Sequence, residues 1–270
     1  MAEEMRLDQL LVARGLVGGR DRAKELIAQG NVLVDGKPAD RPAQKYPPDV
    51  PLEILHDAAR FVSRAAHKLE GALRAFDIDL TGRVVLDVGA STGGFTQCAL
   101  EHGAAYVYAV DVGSGQLAPQ LKADVRVTDL EKTDIRLLSP QALPVQPDFA
   151  ACDVSFISLR LVMPAIAGLL SPKGEAVVLI KPQFEAGRAA VGKGGIVRDP
   201  KVHLRVLRES VETFHLNGFS VIGLEPSPIA GGDGNLEFLA LLRRDGVDTL
   251  PELERVVARA HRKSKGSAVK

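Results

Sequence analysis

The stretch Val84–Thr96, VVLDVGASTGGFT, decides how this chain is read. A short apolar run ends in a segment of small residues carrying Gly89, Gly93 and Gly94, and an apolar helical pattern follows from Phe95. That is a buried strand delivering the chain into a tight turn and then a helix. Glycines there let backbone approach a bound molecule with no Cβ in the way. Outward from this point the pattern alternates. Strands are expected at 83–88, 105–111, 125–130, 148–154, 175–181, 219–225 and 236–242, and helices at 64–78, 158–170 and 200–216. Such alternation predicts an α/β fold, a seven-stranded, mostly parallel sheet covered on both faces.

The ligand of the glycine turn follows from its neighbours. Ala90-Ser91 breaks the G-x-G-x-x-G spacing of a dinucleotide site. Asp111, 22 residues past Gly89, ends the next strand, where a carboxylate accepts ribose hydroxyls. NAD and S-adenosylmethionine both make that demand. Asp87 separates them, because a carboxylate there repels a pyrophosphate and suits a cationic amino-acid ligand. The resulting D-x-G-x-x-x-G-G resembles the methyl-donor loop of class I (Rossmann-like) methyltransferases. The resemblance implies S-adenosyl-L-methionine held by Asp87, Gly89, Ala90, Ser91, Thr92, Gly93 and Phe95. Asp111 is expected on its ribose, Asp134 (Asp129 as second choice) on its adenine, and Asp153 toward its charged end. A second glycine segment, Gly187–Gly194, satisfies G-x-x-x-x-G-K, but Gly194 stands where a phosphate loop needs Ser or Thr for magnesium. It reads instead as a basic loop beside a substrate cleft, with Lys193 and Arg198.

Bulk properties set outer limits. The 270 residues carry 34 basic and 34 acidic side chains, so net charge neither supports nor excludes nucleic acid as a partner. Cys98 and Cys152 lie in apolar runs and read as buried free thiols, with no disulfide and no metal site expected. The first twenty residues carry Glu3, Glu4, Arg6, Asp8 and Arg14, which does not read as a secretory signal, and no apolar run is long enough to span a bilayer. The expectation is a cytoplasmic protein with no membrane partner and no obligate protein partner.

Residues 1–58 form a separate pattern. Leu7, Leu10 and Leu11 mark a helix ended by Gly15, and a second helix is expected over Arg20–Gln29 with Gly30 at its end. Val32 and Val34 alternate before Asp35-Gly36, a hairpin signal, and PLEIL (51–55) reads as another strand. The segment MRLDQLLVARGLVGGRDRAKELIAQGNVLVDGKP resembles the RNA-binding module of small-subunit ribosomal protein S4. The resemblance implies a small α+β RNA-binding domain that meets structured RNA through Arg6, Arg20, Arg22 and Lys24, with Arg64 behind it. The expected divisions are 1–58, a linker at 59–63, a methyltransferase domain at 64–245, and a C-terminal helix with a basic tail at 246–270.

Charged residues stand where parallel sheets keep their active sites. Asp153 ends one strand and Lys181 the next, Glu237 opens the last, and Lys68 lies on the entering helix. A buried lone charge is costly, so each needs a partner or a task. The order Lys68, Asp153, Lys181, Glu237 resembles the K-D-K-E tetrad of FtsJ-type ribose 2′-O-methyltransferases. The phrases SRAAHKL, DVSFISL, KPQFE, GGIVRDP and GNLEF are similar to the TlyA family across nearly the whole chain. That resemblance implies 2′-O-methylation of cytidine in 16S and/or 23S ribosomal RNA, with ribosomal RNA or ribosomal subunits as partner. It places Lys181 nearest the 2′-hydroxyl, Asp153 orienting it, and Lys68 and Glu237 holding substrate and the Lys181 ammonium. Whether Lys181 serves as neutral base or as cation stays open at this level. Other readings are weaker. DVSF lacks both prolines of the D-P-P-Y motif of amino-group methyltransferases, and Cys152, a tempting carbon-5 nucleophile, faces away from Asp153. An RNA-binding protein with a non-catalytic donor pocket, or a cytolysin as the haemolysin label of some TlyA members implies, completes the set.

Overall fold

The computed structural model describes residues 4–28, 31–54, 60–231 and 234–267. It divides into two compact units, Met1–Arg64 and Ala65–Lys270.

In the first unit β1 (Met5–Arg6) leads into α1 (Leu7–Ala13) and α2 (Arg20–Ala28). Then come β2 (Val32–Val34), β3 (Lys37–Pro38), β4 (Lys45–Tyr46) and β5 (Leu52–Ile54). Strand β2 lies between β3 and β5, antiparallel to both. Asp35 and Gly36 both take positive φ, 49° and 72°, the geometry of a tight hairpin turn. Leu7, Leu10, Leu11, Ala23, Leu26, Ile27, Val32 and Val34 close a small core. The expected helix end at Gln29 and Gly30, the last residue of PLEIL, Leu55, and the boundary at 58–59 lie outside the described residues. The β1–β4 pair was not foreseen, because two residues on each side give no alternation to read.

The second unit opens with α3 (Ala66–Ala75), β6 (Val84–Val88), α4 (Gly94–Glu101), β7 (Tyr106–Val110), α5 (Pro119–Lys122) and β8 (Val127–Leu130). It continues with β9 (Phe149–Cys152), α6 (Leu159–Leu169), β10 (Glu175–Ile180), α7 (Pro182–Glu185), α8 (Pro200–Leu216), β11 (Ser220–Pro226), β12 (Phe238–Arg243) and α9 (Leu253–Ser267). The seven strands stand in the order β11-β12-β10-β9-β6-β7-β8. All are parallel except β12, which runs antiparallel to both neighbours. Every residue of β9 and β10 is buried, as strands covered on both faces require. The expected strands and helices all appear, trimmed by one to three residues at most ends. Helix α9 contributes Leu253, Val256, Val257 and Ala260 to the main core.

Candidate active site

Chain direction reverses its walk across the sheet between β6 and β9, so a crevice opens outside their carboxyl ends. Gly89 and Asp153 close its floor. A Cβ on Gly89 would stand 2.6 Å from the Asp153 carbonyl oxygen, and its φ of 87° also calls for glycine. Gly93 (φ 94°) begins α4, where a Cβ would collide with Leu117 and Leu121. Above lies a cleft of about 590 Å³ lined by Gly89, Ser91, Asp111, Asp134, Asp153 and Phe156 among others. The Asp111 carboxylate accepts from the backbone N–H of Ser91 at 2.8 Å and of Gly113 at 2.7 Å, which fixes it at the cleft wall. Asp134 accepts from the Arg136 backbone at 3.0 Å and pairs with its guanidinium at 2.5 Å, which holds its carboxyl below the usual range.

The remaining expected donor residues stand behind this wall. Ala90, Gly93 and Phe95 are buried and Thr92 is exposed, and none of the four lines the cleft. Asp129 pairs with Lys122 at 3.0 Å and is also absent from the wall. Asp87 is fully buried, accepts the Thr96 hydroxyl at 2.6 Å, and leaves its Oδ1 without a hydrogen bond. Burial pushes its carboxyl up to about 7, against the Thr96 bonds that lower it.

Beside the cleft the four charges meet. In the β10–β12 ladder Ile180 faces Phe238, so Lys181, just after one, stands beside Glu237, just before the other. The reversed direction of β12 is what brings a strand beginning to the active edge. Lys181 Nζ lies 2.6 Å from Asp153 Oδ1 and donates to Ser155 Oγ at 2.8 Å. Lys68 Nζ lies 2.8 Å from Glu237 Oε2 and 3.4 Å from Asp153 Oδ2. At both short pairs the angles are not those of a hydrogen bond, so the attraction there is coulombic. Glu237 was expected to hold Lys181. The structure instead pairs it with Lys68, and Asp153 bridges the two lysines. Lys68, Lys181 and Glu237 are all less than one-tenth exposed, and two cations balance two anions.

One residue of this edge escaped the sequence. Phe156 is 90% exposed, holds a positive φ of 64°, and sets its ring 4.9 Å from that of Phe184. Lys181 Nζ lies 5.8 Å from the Phe184 ring centre. An exposed aromatic beside a cleft, in backbone that side chains rarely adopt, is a signal only coordinates supply. Cys152 points into the core, where burial pushes its thiol up to about 12. No cluster of metal-binding side chains occurs among the described residues.

A family model described as FtsJ-like methyltransferase matches residues 61–244. The chain belongs to the FtsJ-like methyltransferase family. It is a methyltransferase whose donor is S-adenosylmethionine. An S4 domain model matches residues 5–50. The 16S/23S rRNA (cytidine-2′-O)-methyltransferase TlyA of Mycobacterium tuberculosis is 46% identical, with 90% of this chain and 91% of that protein aligned. YqxC of Bacillus subtilis, named as a candidate rRNA methyltransferase, is 47% identical over 97% of this chain and 95% of its own length. A solved structure from Streptococcus thermophilus, named for a hemolysin, is 40% identical with a TM-score of 0.81, all of both chains being covered.

The S4 unit of this FtsJ-like methyltransferase carries its basic residues on a buried carboxylate. Asp8, fully buried, accepts two bonds from Arg6 (3.0 and 3.1 Å) and one from Arg20 (3.1 Å). The paired guanidinium groups hold its carboxyl at about 2. Two cations surround one anion there; Asp8 belongs to the Arg6-Leu7-Asp8 run that carries the S4 resemblance, but its burial under both arginines was not foreseen. Arg22 donates to the Phe61 carbonyl at 3.5 Å, Lys24 pairs with Asp21 at 2.9 Å, and Arg64 is half-buried.

Proposed function

We propose that this chain methylates the 2′-oxygen of a cytidine ribose in 16S and/or 23S ribosomal RNA, in the cytoplasm, on ribosomal RNA or a ribosomal subunit. The observation that carries the reading is the continuous chain of charges Glu237–Lys68–Asp153–Lys181 at the edge of the donor cleft. The cleft fits S-adenosylmethionine in volume, and it offers a fixed carboxylate for a ribose at Asp111 and an open backbone at Gly89, with Asp87 buried behind its wall.

The donor supplies an electrophilic methyl on a sulfonium whose leaving group is already good. The protein's task is then to place the attacking oxygen and to manage its proton. Lys181, fixed by Asp153 and Ser155, stands to bond the 2′-hydroxyl. As a neutral amine it takes the proton; as a cation it steers the oxygen. Lys68 neutralises Glu237 and steadies Asp153, so the network keeps its geometry when the site is dry. Phe156 offers a face on which the base of the target nucleotide stacks. Arg6, Arg20, Arg22, Lys24 and Arg64 give the RNA its phosphate contacts, so binding weakens steeply with salt.

The deciding experiment is mass spectrometry of ribosomal RNA nucleosides after incubation with the protein and labelled donor. The expected product is 2′-O-methylcytidine at a position that resists alkaline hydrolysis. Label on the base with the ribose untouched removes the assignment.

A further inference from the structure

The loop Gly187–Arg198 fits no nucleotide site, since a helix, α7, rather than a strand precedes it. It is nevertheless held. Gly192 and Gly195 bond within it, Gly192 N–H to the Ile196 carbonyl at 3.1 Å and Gly195 N–H to the Gly192 carbonyl at 3.1 Å. Its second tether is a side chain. Asn235, 1% exposed, accepts the Val197 N–H at 3.0 Å and donates to the Gly195 carbonyl at 2.9 Å. One amide thus plays the part of a neighbouring strand. Asn235 lies two residues before Glu237, and its own carbonyl accepts the Gly231 N–H at 2.9 Å. Gly231 in turn packs on the Glu237 carboxylate, where a Cβ would come within 2.6 Å of Oε1. Arg188, Lys193, Arg198 and Lys201 are exposed on this loop and the helix start behind it, and none has an ion-pair partner among the described residues. Nearby Arg205, by contrast, is paired with Glu209.

We propose that Asn235 is a positioning residue that latches this basic loop to the catalytic edge, so that its cations meet RNA phosphates at a fixed place beside Glu237. The proposal rests on the RNA methyltransferase reading. An amide is suited to the task because it offers donor and acceptor at once with no charge to desolvate. Phosphates held by the loop then set where the strand lies relative to Lys181.

The test compares Asn235→Ala, Asn235→Asp, the surface pair Lys193→Ala/Arg198→Ala, and Asn235→Ala combined with that pair, all in the full chain. Asn235→Ala is expected to raise KM for RNA roughly ten- to thirtyfold, the scale of two lost buried hydrogen bonds. Donor affinity and kcat at saturating RNA should stay near normal. Asn235→Asp keeps the acceptor and loses the donor, so it should fall between. The combined variant should be no worse than the surface pair alone, because an unlatched loop no longer presents its cations. Effects that multiply, or a loss of donor affinity alongside KM, overturn the latch. Should Asn235→Ala fail to fold, Asn235→Asp combined with the surface pair gives the same comparison. RNA filter binding and amide exchange at Val197 read the latch without turnover. A protein that binds RNA through the latch yet transfers no methyl to it sinks the functional reading instead.

Discussion

On the β6–β7–β8 side of the crevice, carboxylates are held by backbone N–H groups of the turns that follow the strands. Asp111 accepts from Gly113, two residues away, and from Ser91 in the glycine turn, and Asp134 accepts from Arg136, two residues away. On the β9–β10–β12 side, partners come from afar. Lys68 and Asp153 are 85 residues apart, and Lys181 and Ser155 are 26 apart. The first side is backbone and short local loops at a solvent-open wall; the second is side-chain charge in near-complete burial. A site of local bonds loses one contact when one residue changes. A buried network of distant partners loses its balance, because the charge left behind has no water to turn to. The donor side should therefore degrade by degrees and the charged side as a unit.

The largest effect belongs to Lys181. Lys181→Ala should cut methyl transfer by roughly 10²–10⁴-fold, the contribution of a positioned acid–base group, with donor and RNA affinity near normal. Lys181→Arg sharpens the role. Guanidinium keeps its proton, so a rate as low as that of alanine marks a neutral base, and partial recovery marks a cation. Next comes the Lys68–Glu237 pair. Either Lys68→Met or Glu237→Leu alone should cost about 3–5 kcal/mol in denaturant unfolding, the scale of a stranded buried charge, whereas the double variant should recover most of it. Recovered stability without recovered turnover would mark the pair as part of the working site; additive losses would break the picture of one unit.

On the donor side the expected loss is smaller. Asp111→Ala should weaken donor binding by about 1–3 kcal/mol in calorimetry and leave the folding transition in place. An unchanged donor affinity would remove Asp111 from the site. A control lies away from both sides. His203 of α8 is fully buried, with Nδ1 2.9 Å from Nε2 of His261 on α9. Burial, and then the neighbouring His261, push its imidazole down to about 4 from 6.5, while Asp199 and the Val197 backbone oppose. The unfolded chain binds this proton below about 6.5 and the folded chain does so only near 4. Stability from this group is thus complete above that window and lost as pH falls through it. Tm measured from pH 7 to 4 should fall less steeply in His203→Leu.

The same contrast explains what the sequence disclosed. The glycine turn, Asp111 and the hairpin at Asp35-Gly36 are local, so spacing and residue type were enough to place them. The four charges were legible as residues needing partners at strand ends, but not in their pairing. Lys68 to Glu237 depends on how α3 packs against the start of β12, which no local pattern encodes. Phe156 stayed hidden because one aromatic among apolar residues reads as core, and only its exposure sets it apart. Asp8 was hidden for the opposite reason. An acidic residue early in a helix looks solvated, yet here it is buried under two arginines.

The placement of β12 bears on how the molecule is made. This strand fills the gap between β10 and β11, and among the described residues no other strand pairs with β11. During synthesis, every residue through Pro226 is made before β12 exists, and until β12 emerges one edge of β10 is bare and β11 cannot join the sheet. Folding of the catalytic unit then waits on its last strand, a long-range step of the kind that is intrinsically slow. The carboxylate that neutralises Lys68 arrives on the doorstep of that same strand. Closure of the sheet and completion of the charged edge are thus one event, and a nascent chain halted before Phe238 is neither a finished sheet nor a partial catalyst.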